Sequence, residues 1–211
     1  MIERLLTSYR SALLLNGKHL GHRLLGKIRD DAPVIAADGA AKWHSADYIV
    51  GDLDSFSVAD QGQAEVIPIS DQDRTDCEKG MVFAKEKKLL PCLILGLSGG
   101  EIDHFLGNIQ ALLKHANSYE FFFLDEYEKG VKIGIPLSEG KYPIETEVGA
   151  TVSVFPHRTC KLTTNGLFWE LKEESIDLDG PLTVRNRSTK GSVEFNMIEG
   201  KALIVIDIGL P

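Results

Sequence analysis

Gly51-Asp52-Leu53-Asp54-Ser55 follows the apolar run Tyr48-Ile49-Val50, and two carboxylates two residues apart after a strand can face one cation in an extended turn. Asp71-Gln72-Asp73-Arg74-Thr75-Asp76 leads into a second acidic site. There Thr75-x-x-Glu78 reads as a capping box, and the first amides of the helix it opens favour anions. Asp76 lies in the first turn and Lys79 one turn on, so a carboxylate for a metal and an ammonium for phosphate share a face. Thr75 is read both as a cap and as a ligand contact. Asp38-Gly39 closes the run Val34–Ala37, and the glycine-rich stretch Gly96-Leu97-Ser98-Gly99-Gly100-Glu101-Ile102-Asp103-His104 separates a strand from a helix. Such a turn lets backbone approach a nucleotide closely. His104 and Asn108 share a helical face opposite the apolar stripe, together with Ala111. Carboxylates gathered at one edge repel each other unless a cation intervenes. Mg²⁺, which takes carboxylate oxygens and keeps room for substrate phosphates, is the simplest resolution.

Aspartate also serves as a turn and cap residue. Asp30, Asp31, Asp47 and Asp60 are read that way. Gly21-x-x-x-x-Gly26-Lys27 mimics a phosphate-binding loop, but Ile28 stands where a metal-binding Ser or Thr is required. His19 and His22 are too isolated to argue a zinc site.

The elements that must position these residues alternate at first. Short apolar runs end at Leu15, Ala37, Val50, Ile69 and Leu95, each closed by turn residues, and suit strands buried on both faces. A helix is compatible with residues 20–29, another starts at Thr75, and a third carries Phe105 or Leu106, Ile109, Leu112, Leu113 and Ala116 at helical spacing. This predicts an α/β N-terminal domain with a mostly parallel, Rossmann-like three-layer arrangement, in which ligands bind beyond the carboxyl ends of the strands. After Leu124 the segments around 132–135, 151–155, 167–171, 182–184, 193–195 and 202–206 are short and β-rich, which predicts an all-β, sandwich-like C-terminal domain. The expected domains are residues 1–130 and 131–211, with Leu167, Trp169 and Leu171 on one strand face, either as core or as an aromatic surface for a cationic ring.

Composition bounds the function. The chain has 211 residues and a formal charge of −8, which argues against a phosphate-backbone binder and against nucleic acid as a partner. Ten of the fifteen aspartates fall between Asp30 and Asp76, a window with a single glutamate, Glu65, so the acid is concentrated rather than spread for solubility. Cys77, Cys92 and Cys160 form no metal or disulfide pattern. No apolar run reaches a membrane span and no secretory signal is visible, so a cytoplasmic protein without a membrane partner is expected.

Five segments in order, Ala37-Asp38-Gly39-Ala40-Ala41, Gly51-Asp52-Leu53-Asp54-Ser55, Asp71-Gln72-Asp73-Arg74-Thr75-Asp76, Gly99-Gly100-x-x-Asp103-His104 with Asn108, and Gly166-x-x-Trp169, resemble the signatures of thiamine pyrophosphokinases. The resemblance implies transfer of the diphosphoryl group of ATP to the hydroxyl of thiamine, giving thiamine diphosphate and AMP, by a homodimer. It implies Mg²⁺ ligands at Asp52, Asp54 and Asp76. Asp38, Gly39, Gly99, Gly100 and Asp103 would lie on the nucleotide side, joined from the residue reading by Thr75, Lys79, His104 and Asn108. Gln72, Trp169 and Asn186 would contact thiamine. Asp71 and Asp73 are the candidates for general base. The chain departs from the pattern at Ala40, at Glu101, where the family usually has arginine, and at Arg185 beside Asn186. Two rivals remain: a non-catalytic thiamine or nucleotide sensor, and a haloacid-dehalogenase-type phosphatase with Asp52 as nucleophile.

Overall fold

The computed structural model describes residues 2–17, 25–26, 28–42, 44–54, 56–57, 59, 61–128, 130–180 and 183–209. The expected helix over 20–29, the mimic loop at 21–27, His19, His22, Ser55, Asp60 and Leu182 fall wholly or partly outside them.

Twelve strands carry the fold among the described residues: β1 (Ser11–Leu14), β2 (Val34–Ala37), β3 (Tyr48–Gly51), β4 (Glu65–Pro68), β5 (Cys92–Leu95), β6 (Phe121–Tyr127), β7 (Gly130–Leu137), β8 (Gly140–Glu145), β9 (Thr151–Asn165), β10 (Glu174–Ile176), β11 (Asn186–Arg187) and β12 (Ser192–Asp207). Three α-helices accompany them, α1 (Ile2–Ser8), α2 (Asp76–Glu86) and α3 (Ile102–His115), with a 3₁₀ turn η1 at Asp38–Lys42. No helix among the described residues is long and apolar enough to cross a membrane.

The expected fold class is overturned here. The strands join one mixed, β-rich sheet in the order β10-β9-β12-β7-β6-β5-β1-β2-β3-β4, with β11 on β9 and β8 on β12, rather than a three-layer α/β domain followed by a separate sandwich. Two local causes account for the error. Among the described residues the β2–β3 link holds only the 3₁₀ turn η1, where a three-layer fold would place a covering helix. And β6, which the sequence reading passed over as a change of texture, runs with almost no intervening chain into β7. That leaves no break at which a second sheet could start.

By chain compactness two units can be described, one of Ser8–His115 with Glu120–Asp125, the other of Met1–Thr7, Ala116–Tyr119 and Glu126–Pro211. In the first, β4-β3-β2-β1-β5-β6 pair in parallel. Strands β1, β2 and β5 are buried along their whole length, as their unbroken apolar runs require, whereas the edge strand β4 is half-exposed. Leu13, Ile35, Ile49, Leu93, Ile94, Phe121 and Phe122 are fully buried, each contributing roughly 1.5–3 kcal/mol. Helix α2 packs on β2 and β3 and against α3. It approaches closely because Gly80 faces Leu13; a Cβ there would lie 2.6 Å from Leu13 Cδ1.

In the second unit β9 and β12 are long antiparallel partners, running from Glu194 opposite Asn165 to Ile206 opposite Val152. Residues 193–195 and 202–206 belong to this one strand, which bends at a bulge around Gly200 (φ +76°) instead of ending there. Residues 167–171, expected as a strand, form a turn with a single bridge from Leu167 to Ser188. Glu170 holds that turn, accepting from Gly166 N at 2.6 Å and Thr164 Oγ1 at 2.8 Å.

Candidate active site

A cavity of about 520 Å³ opens in the first unit at the carboxyl ends of the parallel strands. The loops after β1, β2, β3 and β5 and the N-termini of α2 and α3 all reach it. Asn16 and Gly17, Asp38, Asp52 and Asp54, Asp76 and Lys79, and Gly100, Glu101, His104 and Asn108 are among the lining residues.

Each acid arrives through a local backbone device. Asp38 takes φ +44° at the first position of η1 and is 3% exposed. Aspartate tolerates this left-handed conformation better than most residues. Leu53 has φ +69°, so the chain turns sharply between Asp52 and Asp54 instead of running extended. Asp76 opens α2, whose cap is Thr75: its Oγ1 accepts from Glu78 N at 3.2 Å. Half of the expected capping box is therefore present. The Glu78 carboxylate, instead of reaching back to the cap, accepts hydrogen bonds from Lys114 Nζ at 2.9 Å and His115 Nε2 at 2.6 Å on α3.

Carboxylate oxygens of Asp38, Asp52 and Asp76 lie within 4.8 Å of one another. Gly51 keeps this space open, since a Cβ there would sit 3.0 Å from Asp38 Cβ and 3.3 Å from Asp76 Oδ1. The grouping differs from the expected set by one member. Asp38 joins Asp52 and Asp76, while Asp54 lines the same cavity outside the triad.

Among the described residues a single buried ammonium faces these acids. Lys79 is 2% exposed, with Nζ 2.9 Å from Asp76 Oδ1 and 3.6 Å from Asp52 Oδ2. Burial works against its charge, but the hydrogen bond and attraction of Asp76, with those of Asp52, outweigh it and raise the pKa. Asp52 is held below the usual carboxylate range, first by the hydrogen bond from Gln72 Nε2 at 3.1 Å, then by the Asp54 amide and Lys79. Cys77 also lines the cavity, where burial pushes its thiol pKa up and disfavours the thiolate.

Other expected site residues lie outside the lining. Asp71 accepts from Asp73 N at 2.9 Å and pairs with Arg74 at 3.2 Å, so it braces its own loop. Gln72 acts on Asp52 as described. Asp103 accepts from the amide of His104 at 2.9 Å. Gly39 is buried within η1 beside Ala40, whose methyl is accommodated with no exposure. Gly99 has φ +84°, which explains that glycine by backbone conformation, whereas a Cβ on Gly100 would meet nothing within 4 Å. In the second unit Trp169 and Asn186 are brought together: Asn186 Oδ1 accepts from Trp169 N at 3.2 Å and Asn186 Nδ2 donates to Trp169 O at 2.7 Å. Trp169 and Phe168 form an exposed edge-to-face pair with centroids 4.9 Å apart.

The sequence model of the thiamin pyrophosphokinase catalytic domain matches residues 27–123, the stretch that supplies most of this cavity. Over those residues the chain is similar to that catalytic domain. A thiamine pyrophosphokinase of Bacillus subtilis is 26% identical over 164 residues, 74% of this chain and 75% of the relative. A thiamine pyrophosphokinase of Oryza sativa is 28% identical over 170 residues, 71% of this chain but only 61% of the relative. Among solved structures, the Bacillus subtilis thiamine pyrophosphokinase superposes with a TM-score of 0.75 at 22% identity, covering 95% of this chain and 100% of that one. The yeast thiamin pyrophosphokinase gives 0.74 at 17% identity, covering 98% and 90%. These likenesses extend the β-rich fold over nearly the whole chain.

Among the cavity residues the sequence reading missed Asn16, Gly17, Arg74 and Phe105. Asn16 and Gly17 were legible in principle, because they follow β1, a central parallel strand, as Asp38 follows β2. Their loop meets the loop after β5 backbone to backbone. A Cβ on Gly17 would lie 2.2 Å from Gly96 O, and one on Gly96 (φ +75°) 2.4 Å from Leu15 O.

Proposed function

We propose that this chain is a thiamine diphosphokinase, which transfers the β,γ-diphosphoryl group of ATP to the hydroxyl of thiamine and releases AMP. The observation that carries this reading is the convergence of Asp38, Asp52 and Asp76 beside Lys79, in a cavity built by residues that match the family's catalytic domain. A donor set of carboxylate oxygens alone suits a hard cation, so the three aspartates fit Mg²⁺, with Asp54 close by. When bound, Mg²⁺ would neutralise polyphosphate charge.

The chain's own groups account for the rest. The amides at the start of α2 and the Lys79 ammonium attract the polyphosphate, and the backbone of the Gly96–Gly100 loop admits the nucleotide closely. The thiamine oxygen attacks the β-phosphorus and releases its proton to solvent as the bridge to the α-phosphate breaks and AMP leaves with the bond pair. Such transfers depend on positioning and on electrostatic stabilisation. Trp169, held by Asn186 and with its ring exposed, supports a thiamine-binding role for residues 131–211 through cation–π attraction. The same reading takes the enzyme as a cytoplasmic homodimer acting on small molecules, with no nucleic-acid or membrane partner. The charge of −8 supports the former exclusion.

Incubating the purified protein with thiamine, ATP and Mg²⁺ and identifying the products tests this. Thiamine diphosphate and AMP in equal amounts are expected. Binding of both ligands with no AMP release would replace the enzyme by a sensor, and phosphate trapped on Asp52 would replace it by a phosphatase.

A further inference from the structure

Lys79 raises a question that the proposed reaction leaves open. Its ammonium is buried and lies 2.9 Å from Asp76 and 3.6 Å from Asp52, two of the three acids suited to the cation. A divalent cation held by those carboxylates would compete directly with that ammonium. Two positive groups at such range repel strongly in a partly dry cavity. Both cannot keep the same carboxylates at full strength. Among the other cations of the lining, Arg74 is engaged by Asp71 at 3.2 Å, so Lys79 is the one placed to answer the cation's arrival. Its stem is flexible, and an incoming polyphosphate, more highly charged than the remaining lining carboxylates Asp54 and Glu101, is the strongest partner for a displaced ammonium in this cavity.

We propose that Lys79 is an internal counter-ion exchanged for the metal: it neutralises Asp52 and Asp76 in the ligand-free protein and moves to the polyphosphate when a divalent cation takes those carboxylates. The exchange rests on the diphosphokinase reading for the identity of the polyphosphate. Without nucleotide the metal must evict the lysine with no polyphosphate to receive it, and binds more weakly. With nucleotide the ammonium finds a new partner, so metal and polyphosphate bind cooperatively, each raising the other's affinity by the same factor. Lys79 is thus a positioning residue that couples two ligands, beyond adding one positive charge to the cavity.

Mn²⁺ binding, followed by the loss of the free-ion paramagnetic resonance signal, tests this with and without α,β-methylene ATP, whose scissile bridge is blocked. Lys79→Met should bind Mn²⁺ alone about tenfold more tightly than the wild type and lose about tenfold of the nucleotide-dependent gain, within the range of ordinary couplings. Lys79→Arg, which keeps the charge, should retain most of that gain. Equal or weaker binding of Mn²⁺ alone by Lys79→Met overturns the exchange. Should that variant fail to fold, the wild type decides by nuclear magnetic resonance. The slowly exchanging Lys79 ammonium signal must lose its protection on adding Mg²⁺ with the analogue, and an unaltered signal overturns the proposal. Normal thiamine diphosphate formation with unaltered Mn²⁺ affinity sinks the exchange alone. Altered Mn²⁺ affinity without any thiamine diphosphate sinks the reaction alone.

Discussion

Helix α2 carries two charge clusters on adjoining residues, and their balances are opposite. Toward the cavity, one ammonium, Lys79, faces the carboxylates of Asp52 and Asp76, with Asp38 beside them. Toward α3, one carboxylate, Glu78, accepts from both Lys114 and His115, and Lys85 adds a 2.5 Å hydrogen bond to the carbonyl of His115. The same residue types at similar distances therefore do different work. A cluster with an excess of acid retains attraction for a further cation and is suited to ligand exchange. A cluster whose single acid is met by two donors fastens one helix to another.

Breaking the two clusters separately should separate activity from stability. The largest effect is expected at the cavity. Asp52→Asn and Asp76→Asn should each lower kcat/KM for thiamine diphosphate formation by about a thousandfold or more, the scale on which metal clamps stabilise transferring phosphoryl groups. Far-UV circular dichroism should be unchanged. Asp76→Asn should also lower the melting temperature slightly, because Lys79 loses its nearer partner. Turnover within tenfold of wild type in either variant would remove these acids from the mechanism.

Why the acid-rich cluster was legible in the sequence and its partner was not follows from locality. Asp52 and Asp76 stand just past an apolar strand and at a capped helix start, signals contained within a few residues, and β2, β3 and β5 were legible as buried runs for the same reason. Asp38 took its place beside them through a left-handed turn, and Asp54 left it through another at Leu53, which spacing alone does not encode. Glu78 looked like a capping-box acid; only the packing of α3 on α2 gives it Lys114 and His115. The larger failure, a separate sandwich where one mixed sheet exists, came in part from missing β6, whose Phe121–Leu124 run is buried like the strands that were found.

The helix-fastening cluster should yield a smaller and different loss. Glu78→Gln removes the charge from a carboxylate with a 10% exposed side chain and two side-chain donors, and should cost about 1–3 kcal/mol of unfolding free energy, with kcat changed less than tenfold. Burial opposes ionisation of Glu78, but the hydrogen bonds from Lys114 and His115 prevail and its pKa is lowered from 4.5. A carboxyl whose folded pKa is depressed stabilises the native state above its unfolded value and loses that contribution as pH falls through the folded one. The stability gap between wild type and Glu78→Gln should therefore be full at neutral pH, begin to shrink near pH 4.5, and close below the depressed pKa. A gap independent of pH across that range would mean the charge of Glu78 contributes nothing.

Within the same cluster the two donors should not count equally, which is the finest test of the contrast. Lys114 has a side chain 64% exposed, whereas His115 is 23% exposed and the closer of the two, at 2.6 Å against 2.9 Å. An exposed ammonium gains little from pairing, because water solvates it well and ordering its long stem costs entropy. Lys114→Ala should therefore shift stability by only about 0–1 kcal/mol. His115→Ala should cost more, since it withdraws a donor from a buried carboxylate and leaves a gap on the α3 side of the fastening. If urea unfolding ranks the two the other way, the cluster is held by its net charge rather than by its geometry, and the division of labour along α2 must be redrawn as one of charge alone.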